Sequence, residues 1–162
     1  MEVRLARLDD AGAIRALYNL EVTTSTATFD LVPRSLSEQQ DWLADRSGAH
    51  AVLVATADDH QVVGFASLSP SRGRPAYRTT VEDSVYVHRA HQGTGVGSQL
   101  LAELLAVASA HGFHAVMARI AGGHEASVTL HRRHGFTLVG TERQVGRKFG
   151  RWLDVAVMQR LL

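Results

Sequence analysis

The stretch HQGTGVGS, residues 91–98, decides how this sequence is interpreted, because it places three glycines in five positions immediately before a strongly apolar segment. Small residues let the backbone approach a ligand closely and turn its N–H groups toward that ligand. A helix that begins there adds the positive end of its dipole. The combination predicts a site for phosphate or pyrophosphate, and the alternative is a plain tight turn before a core helix.

The apolar segment after this loop has the spacing of an α-helix, and Gly112 is placed to end it. Two common nucleotide motifs do not fit the loop. A Walker A loop requires a lysine directly after its last glycine, and none follows here. The Rossmann fingerprint is G-x-G-x-x-G after the first strand, whereas this chain has G-x-G-x-G in the middle of its sequence.

On both sides of the loop, strand-like and helix-like segments alternate. Helical spacing and capping residues predict helices that begin near residues 9–10 and 35–37, one after the glycine loop, and one over residues 125–134. This order predicts a mixed α/β fold of the α+β type, with the glycine loop at a strand-to-helix junction where ligand sites tend to form. The predicted strands cover residues 3–5, 51–57, 61–68, 79–87, 115–120, 136–141 and 153–159.

The composition limits the class of protein. The chain has 162 residues, which fit one domain over residues 1–162, and it carries 17 Lys and Arg against 16 Asp and Glu. This balance gives no overall attraction to nucleic acid or to an anionic membrane. There is no cysteine, so a thiol nucleophile and thiolate metal ligands are excluded. The charged N-terminal stretch is unlike a signal peptide, and no apolar run reaches the ~18 residues of a transmembrane helix, so we expect a cytoplasmic protein.

The pattern Gln92-x-x-Gly95-x-Gly97 matches the [RQ]-x-x-G-x-[GA] loop of the GNAT acetyltransferase superfamily. Over nearly its whole length the chain resembles the branch that contains phosphinothricin and methionine sulfoximine acetyltransferases. Glycine loops alone are weak indicators, whereas seven ordered segments at family-like spacing are strong ones. These segments are residues 18–19, 24–29, 74–78, 80–88, 127–131, 134–136 and 145–152.

The resemblance implies the GNAT fold, a splayed mixed central sheet of six or seven strands flanked by about four helices, in a subunit that forms homodimers. It also implies an acetyl-CoA-dependent N-acetyltransferase that acts on the amino group of phosphinothricin, methionine sulfoximine, methionine sulfone or a related amino acid. Coenzyme A is expected in the gap between the fourth and fifth strands. The residues expected to contact it are Val85, Tyr86, Val87, Gln92, Gly93, Thr94, Gly95, Val96, Gly97, Ser98, His124 and Ser127.

Two positions depart from the family pattern. Gln92 stands where arginine is common, so the loop keeps a hydrogen-bonding group but lacks a charge that would meet the pyrophosphate. His124 stands where many relatives have an asparagine that holds the coenzyme arm. Whether His124 takes over that contact is an open question at the level of sequence.

Acetyl transfer to an amine needs a base for the amine proton and a donor for the leaving thiolate, whose parent pKa is ~8.5. Glu82 is the predicted base, because a carboxylate among strand valines has a raised pKa; the alternative is a solvent-facing residue paired with an arginine. His131 is the predicted donor, and the alternative is a packing histidine at a helix end. The resemblance implies both catalytic roles. The absence of cysteine agrees with direct transfer in a ternary complex, which we predict, and leaves an acyl-serine intermediate as the alternative.

An arginine-rich loop is the candidate site for the acceptor, because guanidinium groups bind carboxylate or phosphinate in a bidentate manner. No metal is predicted, since histidine pairs three residues apart do not make a zinc site without further ligands. Two other functions stay open: acetylation of a peptide or protein N-terminus, and a regulatory module that binds coenzyme A without turnover. The predicted acceptor-binding residues are Phe29, Arg72, Arg74, Tyr77 and Arg78.

Overall fold

The computed structural model describes residues 1–46 and 48–162, and within them the chain forms one seven-stranded sheet and four α-helices. Across the sheet the strand order is β1-β2-β3-β4-β5-β7-β6. The predicted fold class is confirmed. The strands are β1 (Glu2–Leu5), β2 (Val52–Thr56), β3 (Val62–Pro70), β4 (Thr80–Val87), β5 (Ala115–Ala121), β6 (Thr137–Lys148) and β7 (Arg151–Leu161), and the helices are α1 (Ala11–Thr24), α2 (Leu36–Ala44), α3 (Val96–Ala110) and α4 (Glu125–Arg133).

The short contact between β4 and β5 is the feature that positions the site. Every other pair of neighbouring strands is antiparallel, whereas β4 and β5 are parallel and pair at three positions, from Thr80↔Ala115 to Glu82↔Met117. Beyond Glu82 the two strands diverge, and the sheet opens between residues 83–87 and 118–121. Main-chain groups along this opening lack a strand partner and are therefore free to bind a ligand.

Helices cover both faces of the sheet and form two separate cores. On one face α3 packs on β4, where Val81 joins a buried cluster with Leu100 and Leu104, and α4 lies beside it. On the other face α1 and α2 pack on Phe65 and Tyr86. Because side chains alternate along a strand, Glu82 points toward the α1 face and its neighbour Asp83 toward the face of α3 and α4.

Two helix ends agree with the capping residues in the sequence, whereas Asp10 at the start of α1 makes no side-chain capping bond. The Ser35 hydroxyl accepts a hydrogen bond from the Glu38 N–H at 3.2 Å, and the Glu38 carboxylate accepts one from the Ser35 N–H at 2.6 Å. This capping box stabilises the start of α2 by ~1 kcal/mol. After α3, Gly112 adopts a positive φ of 79° and ends the helix as predicted. No helix in the described part of the chain is long and apolar enough to cross a membrane.

The last two strands are longer than the sequence predicts. Their hairpin turn is formed by Phe149 and Gly150, whose φ angles of 50° and 71° are typical of a type I′ turn. Register shifts between Leu138 and Gly140, and again between Glu142 and Gly146, break the side-chain alternation of β6. Such bulges hide the period-two pattern from sequence inspection, which is why the prediction ended this strand at residue 141.

Candidate active site

A cleft of about 860 Å³ occupies the opening between β4 and β5. The glycine loop, the diverging half of β4 and the first turns of α4 form its walls. Ten of the twelve residues predicted to contact coenzyme A line it, and the two exceptions are Thr94 and Val96. Val96 is buried in the core, and the Thr94 hydroxyl donates to the carbonyl of His91 at 2.7 Å, which accounts for their absence from the cleft wall.

The glycine loop fits an anionic ligand. Gly93 and Gly95 have φ angles of 75° and 95°, and no atom lies within 4 Å of the place where a Cβ would stand at either residue. The first hydrogen bond of α3 is donated by the Gln99 N–H to the Gly95 carbonyl at 3.0 Å. The N–H groups of residues 96–98 therefore have no acceptor within the helix. An open, left-handed loop before free N–H groups at the positive end of a helix suits a pyrophosphate.

The main chain of β4 forms one edge of the cleft. The His88 N–H donates to the Val63 carbonyl on β3 at 2.8 Å. Because main-chain groups alternate in direction along a strand, those of Val85 and Val87 point away from β3 and into the opening. The Gln92 side chain donates to the Val87 carbonyl at 3.2 Å, which fixes the start of the glycine loop against this edge.

Glu82 is the last residue of β4 that pairs with β5; it is half-buried and adjoins the cleft through Asp83 without lining it. Burial raises the pKa of its carboxyl group, the positive charges of Arg119 and Arg72 oppose the shift, and the negative charges of Asp83 and Glu142 add to it. Arg119 itself forms a bidentate ion pair with Glu142, so its charge is shared. The net result is a carboxylate that accepts a proton more readily than an ordinary glutamate. Sequence inspection missed Arg119, which lines the cleft on β5.

His131 is buried on the opposite side of β4 and forms an ion pair with Asp83. Its Nε2 lies 2.8 Å from Asp83 Oδ2, and its Nδ1 donates to the Ser127 carbonyl at 2.7 Å. Burial lowers the pKa of His131, but the hydrogen bond and charge of Asp83 outweigh this, and the pKa is raised. Asp83 was missed at the sequence level, although an acidic residue between Val81 and Val85 on the inward face of a strand is a signal for a buried partner.

Comparison with known proteins identifies the family. A family model described as an acetyltransferase (GNAT) domain matches residues 3–157. The chain belongs to the GNAT acetyltransferase family. The predictions of an acyl-CoA-dependent N-acetyltransferase and of acetyl-CoA as its cosubstrate are thereby confirmed.

Three similar proteins illustrate the relationship. The L-methionine sulfoximine/L-methionine sulfone acetyltransferase of Pseudomonas aeruginosa is 42% identical over 158 residues, which cover 97% of this chain and 92% of that protein. The crystal structure of Ribosomal-protein-alanine N-acetyltransferase from Brucella melitensis has a TM-score of 0.97 at 40% identity and covers 100% of both chains. The phosphinothricin acetyltransferase of Sinorhizobium meliloti, solved in complex with AcCoA, has a TM-score of 0.96 at 38% identity and covers 99% of this chain and 88% of that one.

His124 of this GNAT domain connects two sides of the cleft. Its ring borders the cleft, and its Nε2 lies 3.1 Å from the hydroxyl of Thr26. Thr26 comes close because Gly122 has no side chain: a Cβ there would stand 2.7 Å from the Thr26 hydroxyl. His124 is thus held by the segment that follows α1. The sequence analysis predicted only a contact with the coenzyme for this residue.

The predicted acceptor residues lie around the cleft, not in its wall. Arg72, Arg74, Tyr77 and Arg78 belong to the connection between β3 and β4, and the Arg72 guanidinium lies 5.9 Å from the centre of the Tyr77 ring. Arg72 is the one whose charge acts on Glu82. On the α1 side, the cleft wall is formed by Glu21, Ser25 and Ala27.

Phe29 packs on the β6 backbone, where a Cβ at Gly146 would stand 2.4 Å from its ring. Beside it, Lys148 is buried and donates to the Thr28 carbonyl at 2.9 Å. Gly146 and Lys148 thereby hold the segment of residues 25–30, in which Ser25 and Ala27 line the cleft. Lys148 follows Arg147 directly, and the sequence gave no sign that this lysine is buried.

The histidine pairs do not assemble a metal site. No group of three or more His, Asp or Glu side chains within the described ranges could hold a metal ion. His88 and His91 are neighbours, with ring centres 5.8 Å apart, and the His88 ring accepts a hydrogen bond from the Ala90 N–H at 3.2 Å. These rings therefore shape the turn before the glycine loop.

Proposed function

We propose that the protein transfers the acetyl group of acetyl-CoA directly to the amine of a small amino-acid-like acceptor within a ternary complex. The main support is the opening of the sheet beyond Glu82, because it sets a half-buried carboxylate with a raised pKa beside a cleft bordered by an anion-binding loop. Two similar proteins are named for acceptors of this kind, methionine sulfoximine or sulfone and phosphinothricin.

On the acceptor side, Glu82 takes a proton from the incoming ammonium group, directly or through a water molecule. An α-ammonium group has a pKa of ~8, so a base is needed at neutral pH. Arg72 and Arg119 supply positive charge near Glu82 that matches the carboxylate or phosphinate of the acceptor. We include Phe29, Arg74, Tyr77 and Arg78 in the proposed acceptor site because the resemblance implies this role for them.

On the coenzyme side, the glycine loop and the start of α3 bind the pyrophosphate, and the free edge of β4 binds the arm as an added strand does. The N–H groups of Val85 and Val87 point into the opening, and Val87 is the proposed donor to the oxyanion of the tetrahedral intermediate. His131, whose pKa is raised by the hydrogen bond and charge of Asp83, supplies the proton for the leaving thiolate.

An acceptor panel tests this function. Purified protein with acetyl-CoA is offered phosphinothricin, methionine sulfoximine, methionine sulfone and common amino acids, and thiol release is measured. We expect kcat/KM for at least one small acceptor to exceed the values for N-terminal peptides by more than tenfold. Absence of turnover with every acceptor, by protein that binds coenzyme A, would instead support a regulatory binding module.

The second candidate acceptor is a protein N-terminus, because one structure similar to this chain is named a ribosomal-protein-alanine N-acetyltransferase. A peptide acceptor requires an open groove, whereas here the segment of residues 25–30 is held against β6 and the β5–α4 connection by Thr26, Phe29 and Lys148. We favour the small acceptor for this reason. Peptides that begin with alanine belong in the panel, and a preference for them would reverse the assignment.

We propose that two copies of the chain form a homodimer and that the protein is cytoplasmic. The edge strand β6 exposes a row of apolar side chains, which a second copy would cover: Leu138, Val139 and Val145. Sedimentation equilibrium tests the first point, and Val139→Lys is expected to weaken the dimer. Cell fractionation tests the second, and recovery from an envelope fraction would oppose it.

A further inference from the structure

The proposed proton donor lines the cleft, but both of its ring nitrogens are already hydrogen-bonded to protein groups. The side chains of His131 and Asp83 are 4% and 1% exposed. Both ring nitrogens of His131 are engaged, Nε2 with Asp83 Oδ2 and Nδ1 with the Ser127 carbonyl. The Phe136 ring lies edge-on at 4.9 Å between ring centres and closes another side. Because both nitrogens are engaged, transfer of a ring proton into the cleft calls for a further group that lies near one of these nitrogens and also lines the cleft.

The Ser127 hydroxyl meets that requirement. Ser127 lies in the first turn of α4, is half-buried and lines the cleft. Its Oγ is 3.4 Å from His131 Nδ1. Catalytic hydrogen bonds are often long in ligand-free enzymes and shorten once the substrates are bound. A hydroxyl can donate one proton and accept another at the same time, which is the property that a relay needs.

The hydrogen bonds of His131 set the direction of transfer. The carbonyl of Ser127 and the carboxylate of Asp83 both accept, so both ring nitrogens carry a proton and the ring is charged. A charged imidazolium cannot remove the hydroxyl proton of Ser127, which argues against an acyl-serine intermediate. It can replace that proton after the hydroxyl has given its own away. The raised pKa of His131 agrees with this direction.

We propose that Ser127 is a catalytic residue, which relays a proton from His131 to the sulfur of the departing coenzyme A thiolate. This inference rests on the proposed acetyl transfer. When the C–S bond of the tetrahedral adduct breaks, the sulfur takes the Ser127 hydroxyl proton. The hydroxyl oxygen takes the Nδ1 proton of His131 in the same step. His131 is left neutral, with its Nε2 proton still donated to Asp83, and the charges balance because one anion and one cation disappear.

The test compares Ser127→Ala with Ser127→Thr, which keeps a hydroxyl. Coenzyme A affinity is measured by calorimetry, and the rate of thiol release by rapid quench in a single turnover. General acid–base groups contribute about 10²–10⁴-fold, so Ser127→Ala is expected to slow the single-turnover rate by ~100-fold or more. Its coenzyme A Kd is expected to change by less than ~10-fold, the size of one neutral hydrogen bond. Ser127→Thr is expected to recover most of the rate.

A double substitution separates a relay from two independent contacts. Groups that act in one chain are not additive, so Ser127→Ala in a His131→Gln background is expected to cost less than ~3-fold further. Ser109→Ala, an exposed hydroxyl of α3 away from the cleft, serves as the matched control and is expected to behave as wild type.

Two results would overturn the relay alone: wild-type acetyl transfer with an unchanged single-turnover rate in Ser127→Ala, or losses that multiply in the double variant. A weaker Kd in Ser127→Ala with no loss of rate would likewise reduce Ser127 to a coenzyme contact. Wild-type protein that binds coenzyme A but acetylates no acceptor would overturn the proposed function, and the relay with it. Acetyl transfer by the wild-type protein therefore distinguishes failure of the relay from failure of the proposed function.

Discussion

At the scale of single residues, Glu82 shows how position in the sheet sets chemistry. It is the last residue of β4 that pairs with β5, so it lies at the point where the cleft begins and is still half-buried. Burial raises its pKa against two arginines that lower it.

Replacing Glu82 removes the proposed base. Glu82→Gln is expected to lower kcat/KM by ~100-fold or more at neutral pH, since general base catalysis contributes 10²–10⁴-fold. In the wild type, activity should fall on the acid side as the raised pKa of Glu82 is crossed, at a pH above that of an ordinary glutamate. The measurement is kcat/KM against pH. Normal turnover by folded Glu82→Gln would remove Glu82 from the mechanism.

Glu142→Gln provides a matched control for this assignment. Glu142 raises the pKa of Glu82 and also pairs with Arg119, whose charge lowers it. Loss of the Glu142 charge should therefore lower the pKa of Glu82 by both routes. The expected result is an active variant whose acid limb moves to lower pH, and a limb that stays in place would show that another group is titrating.

The Asp83–His131 pair makes a prediction about stability. The pKa of His131 is raised in the folded state, so the stabilisation it provides is complete below its unfolded pKa of ~6.5 and is lost as the pH rises through the folded value. The free energy of unfolding should decline over that window in the wild type. Asp83→Asn should flatten the decline and cost ~3 kcal/mol at low pH, because it leaves a buried charge without its partner.

Urea unfolding at a series of pH values measures this. His134→Gln is a suitable control, because His134 is a neighbouring histidine whose pKa is lowered by burial and by the charges of Arg160 and His131. Its removal should leave the high-pH decline in place. The charged state assigned to His131 would be contradicted if the free energy of unfolding of the wild type did not decline above pH 6.5. It would also be contradicted if the same decline persisted in Asp83→Asn.

The sequence identified some of these residues and not others, for a physical reason. Glu82 and the glycine loop could be predicted because each is recognised from residues adjacent in the sequence: a strand pattern around Glu82 and a run of small residues in the loop. Asp83 matters through His131, 48 residues away, and Lys148 through Thr28, 120 residues away. Such pairs exist only once the sheet has brought separate segments together, so no local pattern predicts them.

At the scale of elements, the β6–β7 hairpin holds the acceptor side of the cleft. Strand β6 is longer than predicted from the sequence, because two bulges disturb the alternation by which its last part would be recognised. That last part contains Gly146 and Lys148. Lys148 donates to the carbonyl of Thr28 at 2.9 Å and points to that of Glu21 at 3.5 Å. One ammonium group thereby joins the end of α1 to the segment that contains Phe29.

Lys148→Met keeps the length of the side chain and removes this link. We expect a loss of ~2 kcal/mol in the free energy of unfolding, the size of a hydrogen bond from a charged group. Because the link holds the acceptor segment and not the glycine loop, KM for the acceptor should rise several-fold while the Kd of coenzyme A stays constant. Steady-state kinetics with calorimetry measures the split.

Arg147→Met is the matched control, since Arg147 is the adjacent cation on the exposed side of β6 and lies over the Trp152 ring at 4.9 Å. Its effect on stability and on acceptor KM should be small. Lys148→Arg should recover part of both losses. Equal changes in acceptor KM and coenzyme affinity for Lys148→Met would indicate general loosening of the fold instead.

At the scale of the whole molecule, the chain is two sheet halves joined by a short parallel contact. Strands β1–β4 and β5–β7 meet at three residue pairs, and the cleft widens from there. The splayed sheet was expected from the resemblance, but the sequence alone did not indicate where the opening begins. That point depends on the pairing register of two strands separated by α3, which is a property of the packed molecule.

Coenzyme A should stabilise the packing of these halves against each other, because the residues proposed to bind it belong to the glycine loop in one half and to α4 in the other. A ligand that binds only the folded state at 100 times its Kd adds ~2.7 kcal/mol of stability. At ~2–4 °C per kcal/mol for a domain of this size, the Tm should rise by about 5–11 °C. Gly95→Ala should abolish this rise in Tm, because Gly95 has a φ of 95° and lies in the binding loop. Gly112→Ala is the control: Gly112 has a φ of 79° but lies outside the cleft, so strain should lower the Tm while the rise with ligand is retained. Calorimetric melting with and without acetyl-CoA decides the matter, and a cooperative transition whose Tm does not respond to the ligand would mean that the opening between β4 and β5 is not the coenzyme site.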